Sequence, residues 1–276
     1  DFAYFSCLID HSNGTCGDVH YAIRYFWWNI RLIPINIPSS TRLKIYRAFW
    51  KTVDFIYPPT CAGCGKPGSL WCDECQEKTI LISKPLCQKC GRPLSIPGIC
   101  KECQTNPPPY TMLRSYAEYG DPIRKALISL KYKNNLGLGL VFSPMLIQII
   151  KSMNWDFDCV IPVPISKGHQ KERGYNQSTI LARPISLAIN KPLVLNSINR
   201  TKETQTQVKL SREERFENLE SAFSKNPAKL ISKKVLLVDD ITTTGATLIS
   251  CSKVLQEAGC SEIYCLTVAR TKLNHQ

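Results

Sequence analysis

Residues 42–56 carry apolar side chains at steps of three and four. This spacing places those side chains on one side of a helix and therefore predicts an amphipathic α-helix. Tyr57-Pro58-Pro59 follows and is expected to end the helix, because proline lacks an amide hydrogen and has a fixed φ. The apolar residues with this spacing are Leu43, Tyr46, Phe49, Trp50 and Val53.

In the second half of the chain, strand-like segments alternate with segments of helical period. The strand-like segments are 113–119, 159–163, 235–238 and 263–268, and the helical segments are 121–133, 176–189 and 247–258. Pro184 lies inside the second of these helices and is expected to kink it. Strands that alternate with helices are typical of an α/β domain, in which a mainly parallel sheet is flanked by helices.

The sequence divides into three segments. Residues 1–40 follow neither a helical nor a strand period and precede the first methionine, so we interpret them as an upstream extension, unstructured or non-native. An interaction tail that uses the neighbouring tryptophans of this segment is the alternative. Residues 41–106 hold the predicted helix and a cysteine-rich block. Prolines then form a stiff linker at the start of residues 107–276, which make up the α/β domain.

Composition and charge narrow the class of protein. Hydrophobic residues make up 43% of the 276-residue chain, which is enough to build a core and excludes a wholly disordered protein. The longest uncharged stretch, residues 134–150, contains Pro144 and is too short to span a bilayer, so no membrane insertion is expected. The formal net charge of +13 indicates a basic protein.

Cysteine spacing gives the first chemical signal. Eight of the 14 cysteines form four Cys-x-x-Cys pairs, which are typical of tetrahedral zinc sites and rare in disulfide frameworks. This usage indicates a reducing, cytoplasmic location. Four thiolates saturate a zinc ion, so the pattern predicts two structural Zn²⁺ sites, which would lower the net charge to roughly +9. The candidate ligands are Cys61, Cys64, Cys72, Cys75, Cys87, Cys90, Cys100 and Cys103.

Spacing alone leaves open which cysteine pairs share a metal. Neighbouring pairs can close two successive ribbons, 61/64/72/75 and 87/90/100/103. A cross-braced arrangement, in which alternate pairs share a zinc ion, is the other possibility.

A second chemical signal follows the strand-like segment 235–238. Asp239 and Asp240 come directly after it, and a loop rich in threonine and glycine then leads into a helix. Such a loop presents backbone N–H groups and hydroxyls at a helix N-terminus, where a phosphate dianion binds readily. Two carboxylates beside it can accept hydrogen bonds from the vicinal hydroxyls of a sugar. The pattern therefore predicts a site for a 5-phosphorylated ribose.

This run of residues resembles the phosphoribosyl pyrophosphate (PRPP) motif of the type I phosphoribosyltransferases. The flanking segments are similar to those of the ComF family, and the resemblance covers roughly residues 43–270. The segments that carry it are the four Cys-x-x-Cys pairs after Tyr57-Pro58-Pro59, Leu130-Lys131-Tyr132, Ile161-Pro162-Val163-Pro164, Arg173 to Ser178, and Arg200 to Phe223.

The resemblance implies a fold and a set of ligand contacts. The fold is a small double zinc ribbon followed by a type I phosphoribosyltransferase-like α/β domain, with PRPP and Mg²⁺ as ligands. Asp239 and Asp240 would bind the ribose hydroxyls. Contacts to the 5-phosphate are implied for Thr242, Thr243, Thr244, Gly245, Ala246 and Thr247. Contacts to the pyrophosphate are implied for Pro164, Ile165, Lys167, Arg173, Arg200 and Lys202.

The same resemblance leaves two functions open. The first is an enzyme, associated with DNA uptake and natural competence, that transfers phosphoribose to an unidentified acceptor. The second is a non-catalytic, PRPP- or nucleotide-sensing competence factor that binds single-stranded DNA. Purine-salvage members carry an aspartate where this chain has Thr243, which disfavours a purine acceptor. The implied partners are single-stranded DNA and a competence helicase or recombination mediator.

Overall fold

The computed structural model describes residues 39–56, 58–200, 223–225 and 230–272. The interpretation of residues 1–38 as an extension lies outside these ranges, as do Tyr57 and Lys202. The helices are α1 (Ser39–Ile56), α2 (Asp73–Glu77), α3 (Lys101–Thr105), α4 (Ile123–Tyr132), α5 (Leu138–Ser152), α6 (Lys167–Arg173), α7 (Gln177–Ile189) and α8 (Ala246–Glu257). The strands are β1 (Met112–Glu118), β2 (Cys159–Pro162), β3 (Ile198–Arg200), β4 (Phe223–Lys225), β5 (Lys234–Thr242) and β6 (Glu262–Arg270).

Four of the described strands form a parallel sheet in the order β1-β6-β5-β2. The register places Pro162 beside Val238 and Asp239 beside Thr267, so the carboxyl ends of β2, β5 and β6 lie at one edge of the sheet. Within the described residues, β3 and β4 form a separate antiparallel pair. The predicted α/β fold with a parallel sheet is confirmed.

Both faces of the sheet are covered by apolar side chains. Leu236 and Val238 belong to one core with α4, α5 and α7, whereas Val235 and Leu237 belong to a second core with α8. Successive residues of a strand point to opposite faces, and a parallel sheet buried on both sides reads as a continuous apolar run. The run at 235–238 is therefore apolar throughout because both of its faces are covered.

The first helix and the first cysteine block pack against the α/β core. Tyr46 and Trp50 of α1 are buried in the same core as α7. Trp71, between the first two cysteine pairs, lies edge-on to the fully buried Phe142 of α5, with ring centroids 5.6 Å apart. Burying a large apolar side chain stabilises a fold by about 1.5–3 kcal/mol, so these rings contribute substantially to the join.

The elements differ from the sequence-based expectation in three places. Strand β5 extends through the acidic pair to Thr242, because β6 pairs with it along that whole length. Helix α5 was not predicted, because its nearly uniform apolar composition has no clear polar face. Helix α7 continues through Pro184 as one element. In the part of the chain that the structure describes, no helix has both the length and the apolar character that a bilayer crossing requires.

Candidate functional site

The acidic pair lies on the last residues of β5 and is almost completely removed from solvent. Asp239 is 7% exposed and Asp240 is 2% exposed. Oδ1 of Asp239 accepts a hydrogen bond from the Ser178 hydroxyl at 2.8 Å and another from the Asp240 amide at 2.9 Å. Burial, together with the neighbouring charge of Asp240, raises the pKa of Asp239 to about 7. Asp239 is therefore positioned by neutral donors in a site that disfavours a second negative charge.

Asp240 has a different partner. Lys131, in the last turn of α4, places Nζ 2.5 Å from Oδ2 of Asp240. Burial alone would lower the pKa of Lys131, but the charge of Asp240, its hydrogen bond to the ammonium and the charge of Asp239 together outweigh it, and the net shift is upward. The two carboxylates of the pair are thus held by different chemistry, one by hydroxyl and amide donors and the other by an ammonium ion.

The loop after the acidic pair turns sharply into α8. Gly245 has a φ of +85°, a left-handed conformation that favours glycine, and it immediately precedes the first residue of α8. The first N–H groups of a helix have no acceptor within it and attract anions. The buried Thr242 hydroxyl has no hydrogen-bond partner among the described residues and lies beside Gly245. The Ala246 amide points at the Thr244 hydroxyl oxygen at 3.4 Å, so within the described residues the Thr242 hydroxyl is the side-chain donor that this loop leaves unused.

Residues after β2 reach the same edge of the sheet. The Val163 amide bonds to the Val238 carbonyl at 2.9 Å, so Pro164 and Ile165 continue beside the end of β5. Ser166 then caps α6 by accepting a hydrogen bond from the His169 amide. Lys167 is the first residue of α6, and Arg200 ends β3, which pairs there with Phe223.

Arg173 is positioned by two neighbours. Its guanidinium lies 4.8 Å from the ring centroid of Tyr132, and Nη2 donates to the Tyr132 hydroxyl at 3.2 Å. Nη1 donates to Oε1 of Gln177 at 3.2 Å, whereas the buried Nε has no partner among the described residues. Arg173 therefore joins the end of α4 to the start of α7 and keeps one donor free.

Lys131 and Ser178 were not assigned a role from the sequence, although both contact the acidic pair. Each stands in a segment that carries the family resemblance, Leu130-Lys131-Tyr132 and Arg173 to Ser178. That membership was the only available signal, because neither residue is near Asp239 in the sequence. Ser178, for example, is 61 residues from its partner.

The eight candidate cysteines form two tetrads of successive pairs, which settles the pairing that spacing left open. Within each tetrad, all ligand atoms lie within 4.8 Å of one another. Sulfur atoms are separated by 3.6 Å for Cys61 and Cys75 and by 3.8 Å for Cys90 and Cys100. A tetrahedron with a centre about 2.3 Å from each sulfur has edges of about 3.8 Å, so the donor set fits two structural zinc ions. We call them the 61–75 tetrad and the 87–103 tetrad.

Backbone amides support the thiolate form in each tetrad. The Cys72 amide points at Cys61 Sγ at 3.4 Å, and the Cys100 amide points at Cys87 Sγ at 3.3 Å. Burial opposes ionisation of Cys61 and Cys87, but these and other knuckle amides outweigh it and lower the pKa of each thiol to about 6. One thiol of each tetrad is thus favoured as the thiolate, the form that zinc binds, whereas burial and neighbouring sulfurs raise the pKa of Cys75 and Cys103.

The 87–103 tetrad is built into the edge of the sheet. Gly91 approaches β1 so closely that a Cβ there would lie 2.4 Å from the Leu113 carbonyl oxygen. Arg114 of β1 is buried and donates to the Leu113 carbonyl at 2.8 Å and to the Cys87 carbonyl at 3.3 Å. Arg270 of β6 is also buried and donates to the Cys90 carbonyl. Two buried cations thus fasten this ribbon to the sheet.

The two tetrads differ in exposure, and this predicts two phases of zinc release. Cys64 is exposed and Cys72 is half-buried, whereas all four ligands of the 87–103 tetrad are buried. A chelator reaches a metal only when the site opens, so we expect zinc to leave the 61–75 tetrad at least about tenfold faster. Stopped-flow mixing with a colorimetric zinc chelator measures both phases. Cys64→Ser should remove the fast phase; a single phase, or loss of the slow one in that variant, would contradict the assignment.

Sequence models of two domain families match this chain. The double zinc ribbon domain matches residues 52–104, and the phosphoribosyl transferase domain matches residues 144–274. The first match contains both cysteine tetrads, and the second contains the acidic pair and the loop into α8. Both domains therefore occur in the order that the motifs indicated.

Curated relatives resemble the chain over most of their own length. The chain is 30% identical over 207 residues to "Competence protein F" of Haemophilus influenzae, which covers 72% of this chain and 90% of that protein. It is 28% identical to "DNA utilization protein YhgH" of Escherichia coli K12, over 78% of this chain and 98% of that protein. The chain is 29% identical to "Competence protein ComFC" of Bacillus subtilis, over 70% of this chain and 81% of that protein. With both domains matched and this degree of identity and coverage, the chain belongs to the ComF family, which joins a double zinc ribbon to a phosphoribosyltransferase domain.

Proposed function

We propose that this protein is a phosphoribosyltransferase that binds PRPP with Mg²⁺ and transfers phosphoribose to an acceptor, with release of pyrophosphate. The observation that carries the proposal is the sequence of features at the end of β5. Two buried carboxylates are followed at once by an unpartnered Thr242 hydroxyl, a left-handed Gly245 and the N-terminus of α8. A phosphorylated sugar is the ligand that uses all of these groups together.

Each part of the site has a role in this proposal. Asp239 and Asp240 accept hydrogen bonds from the ribose hydroxyls and fix the sugar ring. The loop from Thr242 to Thr247 donates N–H and hydroxyl groups to the 5-phosphate. The turn at Pro164 and Ile165, with Lys167, Arg173, Arg200 and Lys202, receives the pyrophosphate. Mg²⁺, when bound with PRPP, neutralises charge on the leaving pyrophosphate.

Thr243 affects which acceptor the site can use. Its side chain is exposed and carries a hydroxyl, which is no general base at neutral pH. A purine that needs a proton removed at this position is therefore disfavoured as the acceptor. The proposed acceptor is a nucleophile that loses its proton elsewhere.

We further propose that residues 41–106 form the zinc-ribbon unit, that residues 107–276 form the transferase unit, and that the protein works in the reducing cytoplasm.

A second candidate function keeps the pocket without turnover. In this account the protein senses PRPP or a nucleotide and binds single-stranded DNA, with a competence helicase or recombination mediator as partner. The observations that favour it are Thr243, the net charge of +13 and the relatives named for competence and DNA utilization. A basic surface binds phosphate backbones through counterion release, so such binding would weaken steeply with salt.

Calorimetric titration of PRPP with Mg²⁺ into the zinc-loaded protein tests the shared pocket. We expect micromolar binding by the wild type and at least a 100-fold loss, equivalent to about 2.7 kcal/mol, in Asp239→Asn/Asp240→Asn. Asp158→Asn/Asp156→Asn is the matched control, because these two aspartates lie before β2, away from the loop. Absence of binding by folded wild type would refute both candidates. Pyrophosphate release with an acceptor then separates the enzyme from the sensor.

A further inference from the structure

Lys131 is placed unusually for a lysine. Its side chain is 22% exposed, and that of Asp240, its partner, is 3% exposed. The other lysine of α4, Lys125, is typical by contrast: its side chain is 54% exposed and its ammonium lies 3.5 Å from Asp121. An exposed ion pair such as that of Lys125 is screened by water, whereas a desolvated one interacts strongly. Lys131 therefore acts on the acidic pair directly.

The acidic pair requires a positive charge. Two neighbouring carboxylates removed from solvent repel one another, and among the described residues the neutral hydrogen bonds to this pair reach Oδ1 of Asp239. In the part of the chain that the structure describes, Lys131 supplies the positive charge that contacts Oδ2 of Asp240. Without it, a buried oxygen of Asp240 would face the charge of Asp239 with no counter-ion, which is the arrangement that attracts a hard divalent cation.

We propose that Lys131 is the counter-ion of the acidic pair: its ammonium group binds Asp240 and prevents a free divalent cation from binding there. A divalent ion then enters the site only together with a phosphate-bearing ligand that brings its own ligand oxygens. This last step rests on the proposed binding of PRPP, whereas the exclusion of free metal does not.

The ammonium also fits a role in positioning a sugar. It has three donor hydrogens, so it can stay bound to the Asp240 carboxylate and still donate a hydrogen bond to an oxygen of an incoming ligand. A metal ion in the same place would instead demand several oxygen ligands in a fixed geometry. The site is therefore adapted to a hydroxylated ligand and holds Asp240 ready to accept its hydrogen bond.

Manganese binding to the zinc-loaded full chain tests the exclusion. Electron paramagnetic resonance measures free Mn²⁺, which prefers carboxylate oxygen and does not displace zinc from thiolates. We expect Lys131→Met, which keeps the length of the side chain, to gain one Mn²⁺ site at least about tenfold tighter than any in the wild type, a change of about 1.4 kcal/mol. Lys131→Arg, which keeps the charge, and Lys125→Met should gain none.

A second pair of variants locates the gained site. Lys131→Met/Asp240→Asn should lose the Mn²⁺ binding that Lys131→Met gains. Zinc content and thermal melting establish that each variant is folded, and a folded Lys131→Met with no gain would overturn the proposal. The wild type provides a test that needs no Lys131 variant: if Asp240→Asn weakens Mn²⁺ binding to the free protein, the exclusion is wrong. Failure of wild type to bind PRPP would refute the proposed function and leave these metal results unaffected.

Discussion

Arg270→Met is expected to lower the free energy of unfolding of the zinc-loaded protein by about 3 kcal/mol. Arg270 is buried between the sheet and the 87–103 tetrad, and it donates to the Cys90 carbonyl. Removing the guanidinium leaves that carbonyl without this donor and takes a positive charge from near Cys90 and Cys103. The cost is large because the carbonyl that remains is buried and is not rehydrated. Urea unfolding followed by circular dichroism measures it.

Arg124→Met is the control for Arg270→Met. Arg124 contacts the carboxylate of Asp121 at 2.8 Å, but its side chain is 47% exposed. Exposed ion pairs contribute little, so this variant should unfold at the same urea concentration as wild type. Equal midpoints for the two arginine variants would show that Arg270 does not fasten the ribbon to the sheet.

Gly245→Val is expected to weaken PRPP binding at least 100-fold, or by about 2.7 kcal/mol. The φ of +85° at Gly245 is strongly disfavoured for a β-branched residue, so valine forces the loop into another conformation. The N–H groups of the loop and of the first turn of α8 then no longer converge on one phosphate. Gly245→Asn should retain most of the affinity, because asparagine tolerates the left-handed region. Calorimetry measures all three proteins.

Gly259→Val separates strain in general from loss of the phosphate loop. Gly259 has nearly the same backbone conformation, with a φ of +86°, but follows the opposite end of α8. Its valine variant should lose stability and keep the affinity of wild type for PRPP. If Gly259→Val lost binding to the same extent as Gly245→Val, or if Gly245→Val bound normally, the assignment of the loop to the 5-phosphate would be wrong.

Features written in consecutive residues could be predicted from the sequence. The Cys-x-x-Cys pairs and the apolar run before Asp239 are local patterns. The pairs form the two cysteine tetrads, and the apolar run forms the buried part of β5. The positions of the strands and helices could be predicted for the same reason, and for most elements the predicted ends differ from the observed ends by one or two residues. Strand β5 is the exception, since its extension to Thr242 depends on pairing with β6 rather than on its own side chains.

Partners brought together by the tertiary fold could not be predicted. Lys131 looks like any lysine at the end of a helix, and only the place of α4 in the core that it shares with β5 brings it to Asp240. Arg270 and Cys90 are 180 residues apart in the sequence and meet because the ribbon folds back on the sheet. The sequence around a charged residue in a strand does not show which group neutralises its charge. The residues that contact each site from other elements can therefore be found only in the structure.

The central position of β6 has a consequence for synthesis on the ribosome. Ser115 of β1 and Thr267 of β6 share a hydrogen bond at 2.7 Å across a separation of 152 residues, and β6 pairs with β5 on its other side. Both zinc ribbons, β1, β2 and β5 are translated before β6, and the growing chain cannot close the sheet until residue 270 has left the exit tunnel. Long-range pairing of this kind folds slowly and leaves strand edges open meanwhile. The ribbon that holds the 87–103 tetrad is made early, yet its attachment through Arg270 can form only after β6 has been translated.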